Sequence, residues 1–336
     1  MENERLGRSR FENRTLLSEQ YFKKIGYSLF GMVAAVILTQ TLLSAALMFL
    51  APWIMTSPWW IAILIGIPLY LVGFPVFLSI IRKVPNGPKG PAKKLSFMQI
   101  LVFFFISMAA TYLFNIVGNL INYLIAVLKG SPIANPLESM LGGSSLIPII
   151  LVVVILSPIV EEVIFRGIIL DKLRGYGDKT AIMFTALTFG LLHGNLSQFF
   201  YAFVLGLIFG YIAIQTNTIL YTIILHIAIN LFGSVLMPAL ALSGNDVLVI
   251  LSGGLMLAFM FVGGLLFFKN YKNIKLDSER DITQKIQGTE EIEVLEGLEE
   301  TEIIEEVDKK PLYLNQGIIL FYLASLFLFV STIFAS

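Results

Sequence analysis

The chain has 336 residues, of which 57% are hydrophobic and 14% charged, and its mean hydropathy is +0.83. In soluble domains about a quarter of all residues are charged. The lower fraction here excludes an ordinary soluble domain and predicts lipid surroundings. The 23 basic and 23 acidic residues balance, which gives no global field for nucleic acid. Cysteine is absent, which excludes disulfides, a thiolate nucleophile and a cysteine-ligated metal.

The first 24 residues mix basic and acidic side chains, and the apolar run that follows is longer than the apolar region of a signal peptide. The sequence therefore predicts a cytoplasmic N-terminal segment at 1–24 and a first span that is retained.

Nine apolar stretches are long enough to cross about 30 Å of hydrocarbon as helices. In lipid every backbone polar group must be satisfied internally, and the short alternating segments of a barrel are not found. The sequence thus predicts an all-α fold, a polytopic transmembrane helical bundle of about eight to nine spans. The predicted spans are residues 25–52, 58–81, 97–128, 144–170, 179–193, 197–215, 218–239, 246–268 and 314–335.

Composition also divides the chain into regions. N-terminal transmembrane helices occupy 25–143, and a core at 144–240 holds the polar residues considered below. A further helix at 241–268 leads to an acidic cytoplasmic linker at 269–313, before a C-terminal transmembrane helix at 314–336. A docking or regulatory role for the linker stays open.

Lysine and arginine concentrate before the first span, between the second and third, after the fourth, and between residues 269 and 310. The loops that alternate with these carry only Lys129. Because basic residues are retained on the cytoplasmic side of short loops, we expect a cytoplasmic N-terminus and an external Ser336.

Three ionisable residues interrupt the fourth span: Glu161, Glu162 and Arg166. Each costs at least about 2.5–3.5 kcal/mol at mid-bilayer, so each needs a partner or a function. Glu162 and Arg166 are four residues apart, which predicts an intrahelical ion pair, and a purely structural pair would explain both. Glu161 lies about 100° round the helix without that partner, which makes it a candidate general base.

The two histidines of the chain, His193 and His226, both fall in predicted spans. His193 precedes a glycine, so a histidine at a helix C-terminus is one interpretation. His226 and Asn230 share a helical face, and an interhelical hydrogen-bonding pair is the corresponding alternative. Counted from the ends of their spans, these residues and Glu161 lie at similar depth, which predicts one hydrated pocket within the membrane.

Several mechanisms are excluded by the motifs that the sequence lacks. It contains no His-Glu-x-x-His helix, no aspartate pair inside a span, and no Gly-x-Ser-x-Gly elbow. The remaining chemistry is water activated by glutamate and histidine, with imidazole and carboxamide donors for an oxyanion.

Three motifs in this order, Glu161-Glu162-x-x-x-Arg166, Phe189-x-x-x-His193 and His226-x-x-x-Asn230, resemble those of the CAAX prenyl protease and bacteriocin-processing family. This family of intramembrane peptidases is also called Abi, and the resemblance covers roughly residues 144–240. It implies that Glu161 and His193 activate water. It further implies that His226 and Asn230 form the oxyanion site, while Glu162 and Arg166 position the pocket.

The resemblance leaves the cofactor open, since zinc held by Glu161, His193 and His226 competes with a metal-free glutamate mechanism. The implied partners are the lipid bilayer and a peptide or protein substrate, either lipidated or a bacteriocin or signal peptide, with no nucleic acid. The expected location is a bacterial cell membrane. Two other hypotheses remain: a transporter or proton relay, and a catalytically silent bacteriocin-immunity protein of the same fold.

Overall fold

The computed structural model describes residues 2–90, 92–133, 146–276 and 308–334. Nine long helices and several short turns account for most of these ranges, which contain no strand. The predicted all-α fold class is therefore confirmed. The long helices are α1 (Glu2–Leu50), α2 (Ala62–Ile81), α3 (Phe97–Lys129), α4 (Leu146–Tyr176), α5 (Asp178–Leu192), α6 (Leu196–Thr216), α7 (Leu220–Ala241), α8 (Asp246–Asn273) and α9 (Lys310–Phe334).

Eight of these nine helices are long and apolar enough to cross a membrane. The exception is α5, whose 15 residues reach only about 22 Å at about 1.5 Å per residue. Most helix ends lie within a few residues of the predicted limits. The largest difference is at α1, where the helix already begins at Glu2 because it continues through the polar segment in which hydropathy gives no signal. The boundary at 143, residues 277–307 of the predicted linker, and Ser336 lie outside the described residues.

The bundle exposes large apolar side chains and buries charged ones, as expected of a protein surrounded by lipid. Large apolar side chains such as Phe49, Leu128 and Phe268 are 81%, 89% and 72% exposed, whereas Glu162 and Arg166 are fully buried. Soluble monomers rarely expose apolar surface on this scale, because contact with water disfavours it. The chain is therefore an integral membrane protein.

Four helices, α4, α5, α6 and α7, surround the polar residues, and the other helices pack around these four. Helix α1 packs against α2 and α9, while α6 packs against α5 and α3, and α3 in turn packs against α8. Helix α7 contacts α4 in the middle of the bundle. At the α1–α9 contact, Gly26 and Gly317 bring the two backbones so close that neither position has room for a side chain.

Where the structure describes them, the segments that carry the basic residues meet at one end of the bundle. Tyr176 donates to Ser18 at 3.0 Å, which joins the end of α4 to the N-terminal half of α1. The loop between α2 and α3 contacts the same end, through an ion pair of Lys89 with Asp171 at 2.6 Å. Lys129 lies at the opposite end, where its amine donates to the carbonyl of Ile333. This arrangement reproduces the alternation on which the predicted orientation rests, and which end faces the cytoplasm stays a prediction.

The orientation can be tested with single cysteines, since the chain has none of its own. We expect a membrane-impermeant maleimide to label Ser243→Cys, in the turn between α7 and α8, in intact cells. Lys83→Cys, in the loop after α2, should react only after the membrane is permeabilised, because basic loops stay cytoplasmic. The unsubstituted chain gives the background, and the reverse labelling pattern would show that the protein is inserted the other way round.

Candidate active site

Helix α4 changes its winding on both sides of the paired glutamates. The π-helical segments Ile150–Leu156 and Val163–Ile169 enclose one stretch of α-helix, Ser157–Glu162. Proline at position 158 explains the first segment, because its ring clashes with the carbonyl four residues earlier and it donates no hydrogen bond. Proline likewise stands two residues after the π segments in α2, Ile67–Gly73, and α7, Phe232–Leu236. Such widened turns are frequent at functional sites.

Glu162 and Arg166 form the predicted ion pair, and it is completely buried. Arg166 Nη1 lies 2.8 Å from Glu162 Oε1, and neither side chain has any solvent exposure. The guanidinium also lies over two aromatic rings, with its central carbon 4.4 Å from the centroid of Phe189 and 5.3 Å from that of Phe209. Contacts with ring faces stabilise a desolvated cation, and here they replace the water that Arg166 has lost.

His226 extends this pair into a group of three. Its Nδ1 lies 2.9 Å from Glu162 Oε1, so one carboxylate oxygen accepts from both the imidazole and the guanidinium. Its Nε2 faces the other glutamate at 3.7 Å from Glu161 Oε2, which is too long for a hydrogen bond. Glu162 thus does more than neutralise Arg166, because it also fixes the orientation of a histidine from another helix.

His193 follows the last turn of the short helix α5. Its Nδ1 lies 2.9 Å from the carbonyl oxygen of Phe189, and because a carbonyl only accepts, the hydrogen of the neutral ring is on Nδ1. Nε2 then carries the lone pair. The chain turns at Gly194 with φ of +62°, against the side chain of Leu328, and Thr332 donates to the Gly194 carbonyl at 3.2 Å. Helix α9 therefore supports the turn that follows His193.

Asn230 lies one turn after His226 on α7 and connects this helix to α4. Its Nδ2 donates to the carbonyl of Val153, inside the first π segment, at 2.9 Å. A carboxamide nitrogen has two hydrogens, so one remains for another acceptor.

A pocket of about 170 Å³ joins these residues. Glu161, His193, His226 and Asn230 all line it, whereas Glu162 and Arg166 lie behind its wall. Since a water molecule occupies about 30 Å³ in the liquid, the space suits a few waters or part of a substrate. The side chain of Glu161 keeps 18% exposure, against 0% for Glu162, so the two neighbouring carboxylates have different surroundings.

The pocket contains further polar residues that the sequence analysis did not select. These are Ser157, Gln198, Tyr201 and Ser234. Hydroxyl and carboxamide side chains occur in many spans at modest cost, so their position in the sequence gave no comparable signal. Gln198 lies in the first turn of α6, close after His193, and that proximity is the one signal that could have identified it.

The donor set fits a resident metal poorly. Within the described ranges, no three histidine, aspartate or glutamate side chains are grouped so that they could hold a metal ion. Glu162 holds Nδ1 of His226 and the Phe189 carbonyl holds Nδ1 of His193, so only the two Nε2 atoms would be available to a metal. The two Nε2 atoms and Glu161 would have to move together to form the predicted zinc site.

Comparisons with known proteins indicate the same family as the three sequence motifs. Residues 143–232 match the family model described as "Type II CAAX prenyl endopeptidase Rce1-like". A relative named "Putative membrane peptidase YdiL", from Bacillus subtilis (strain 168), is 29% identical over 167 residues, which cover 47% of this chain. The chain spans 64% of the length of that relative. No solved structure matches.

The helical bundle and its enclosed polar pocket define an integral membrane protein with a site inside the membrane-embedded core. The match over residues 143–232 shows that this part of the chain is similar to the CAAX prenyl protease and bacteriocin-processing family. The resemblance drawn from the three sequence motifs is thereby confirmed.

The buried ion pair predicts a large effect on stability. Arg166→Met leaves the Glu162 charge without its cation, and we expect a loss of about 3–5 kcal/mol, measured by thermal unfolding in detergent. Replacing both residues, Glu162→Gln with Arg166→Met, removes both charges and should recover much of this loss. Arg82→Met removes an exposed arginine and serves as the control. Equal melting of Arg166→Met and Arg82→Met would show that the pair is dispensable.

Proposed function

We propose that the protein is a membrane-embedded endopeptidase that hydrolyses a peptide bond with water activated in this pocket. The supporting observation is that Glu161, His193, His226 and Asn230, contributed by three parts of the chain, line one cavity inside an apolar bundle. The family match and the printed name of the relative favour the same activity.

Glu161 is the proposed general base. It is the more exposed of the two glutamates, and its contact with His226 Nε2, at 3.7 Å, is too long for a hydrogen bond. His193 presents the lone pair of Nε2 and helps to orient the water. The water oxygen attacks the carbonyl carbon while Glu161 takes one proton; the C–N bond then breaks, and the proton passes to the departing amine.

His226 and Asn230 are the proposed donors to the oxyanion. Asn230 has one amide hydrogen left after its bond to Val153. His226 donates from Nε2 when it is doubly protonated, with Glu162 holding the hydrogen on Nδ1. Charge that develops in an apolar pocket is strongly stabilised by donors that are already oriented, and Glu162 and Arg166 keep His226 in place for this role.

The proposed substrate is a peptide segment that reaches the pocket from the membrane of a bacterial cell. The family description favours a prenylated C-terminal peptide. An unmodified leader peptide is the second form, which the resemblance of the three motifs implies. Both can be offered to the protein in nanodiscs, as a farnesylated CAAX peptide and as an internally quenched peptide library.

Glu161→Gln tests the proposal. It keeps the shape of the side chain and removes the base, so we expect cleavage, followed by mass spectrometry of the products, to fall by about 10²–10⁴-fold. His226→Ala should also be inactive. Glu19→Gln, on α1 and outside the pocket, should cleave like the unsubstituted protein. Unchanged cleavage by Glu161→Gln would rule the proposal out, and Glu161-dependent proton flux without cleavage would favour the proton relay.

We also propose that catalysis uses no resident metal, because no three histidine, aspartate or glutamate side chains of the described residues are grouped closely enough to hold one. Activity should persist after dialysis against EDTA and 1,10-phenanthroline, and metal analysis should find less than one zinc per chain. Loss of activity that stoichiometric zinc restores would show instead that the Glu161, His193 and His226 side chains rearrange to bind a metal.

A further inference from the structure

A chain of hydrogen bonds begins at the first turn of α6 and leads into the pocket. Asn195 caps this helix: its Oδ1 accepts from the backbone N–H of Gln198 at 3.0 Å. A backbone N–H can only donate, so the atom facing it is the oxygen of the carboxamide. The nitrogen of Asn195 then donates to the His193 carbonyl at 2.8 Å and to Gln198 Oε1 at 2.7 Å.

The same logic fixes the next two side chains. Since Gln198 accepts with Oε1, its Nε2 is the atom that donates to the Tyr201 hydroxyl oxygen, at 3.0 Å. Tyr201 is therefore the acceptor in that bond, and its own hydroxyl hydrogen remains for a different acceptor. Gln198 and Tyr201 both line the pocket, and the Tyr201 ring lies beside His193 with centroids 6.5 Å apart.

We propose that the Tyr201 hydroxyl is a further catalytic residue, which donates a hydrogen bond to the carbonyl oxygen of the scissile peptide as that oxygen becomes an oxyanion. This inference rests on the proposed endopeptidase function. The step forms no new covalent bond, since Tyr201 keeps its proton throughout.

The other hydrogen-bond donors in the pocket are few, so a further donor to the oxyanion, Tyr201, has a role beside them. Asn230 offers one hydrogen because the other is bound to Val153. His226 offers Nε2–H only when its ring carries two protons, because Nδ1–H is directed to Glu162. Tyr201 donates in its ordinary neutral form, and its orientation is set by a network that ends on a backbone N–H. A donor oriented before the reaction needs no reorganisation when charge develops, which is the condition for strong oxyanion stabilisation.

Tyr201→Phe is the test, because it removes the hydroxyl and keeps the ring. We expect kcat to fall by about 10²–10³-fold with little change in KM, since the interaction strengthens only in the transition state. Gln198→Met should lower kcat by less, because the hydroxyl stays but loses the donor that orients it. The matched control is Tyr211→Phe, on the same helix, whose ring packs against Phe103 outside the pocket and whose kcat should not change.

The outcomes separate this inference from the proposed function. If Glu161→Gln is inactive while Tyr201→Phe is fully active, only the proposed role of Tyr201 is overturned. If Glu161→Gln is active, the proposed peptidase function itself is overturned. Thermal unfolding of the two tyrosine variants is compared in the same detergent. If Tyr201→Phe loses activity and its melting temperature is also far below that of Tyr211→Phe, the hydroxyl stabilises the fold. This result would overturn its catalytic role.

Discussion

The buried contact between Glu162, Arg166 and His226 is the interaction on which the rest of the site depends. A carboxylate and a guanidinium without solvent contact are tolerated inside an apolar bundle only when their charges are paired. This requirement ties α4 to α7 through His226, and it ties both to α5 and α6 through the rings of Phe189 and Phe209. Pairing the inner glutamate in this way leaves its neighbour, Glu161, directed to the pocket.

Proline is the local device that shapes the helices around this contact. A regular helix through residues 150–169 would carry all its carbonyls in intrahelical bonds, whereas the widened turns redirect some of them. One result is visible at Val153, whose carbonyl accepts from Asn230 and so connects α4 with α7. The same residue type that interrupts the helix thus supplies the backbone group by which a neighbouring helix is held.

The sequence predicted the fold class, the helix positions and the Glu162–Arg166 pair, because hydropathy and the four-residue period of a helix are both local properties. It did not predict that His226 bonds to Glu162, since that contact joins positions 64 residues apart. Nor did it select Gln198 and Tyr201, because their place in a hydrogen-bond network is visible only in the folded structure. Nor did it predict the proline-linked π turns, because hydropathy does not distinguish a π-helical turn from an α-helical one.

The support that α9 gives to the Gly194 turn has a consequence for biosynthesis. Leu328 and Thr332 contact the turn after His193, yet they are made more than 130 residues later in the chain. While α1 to α8 enter the bilayer from the ribosome, His193 stands beside a turn that still lacks this packing. The turn that follows His193 therefore gains its packing only when α9 has joined the bundle, so this part of the pocket takes its final form late in assembly.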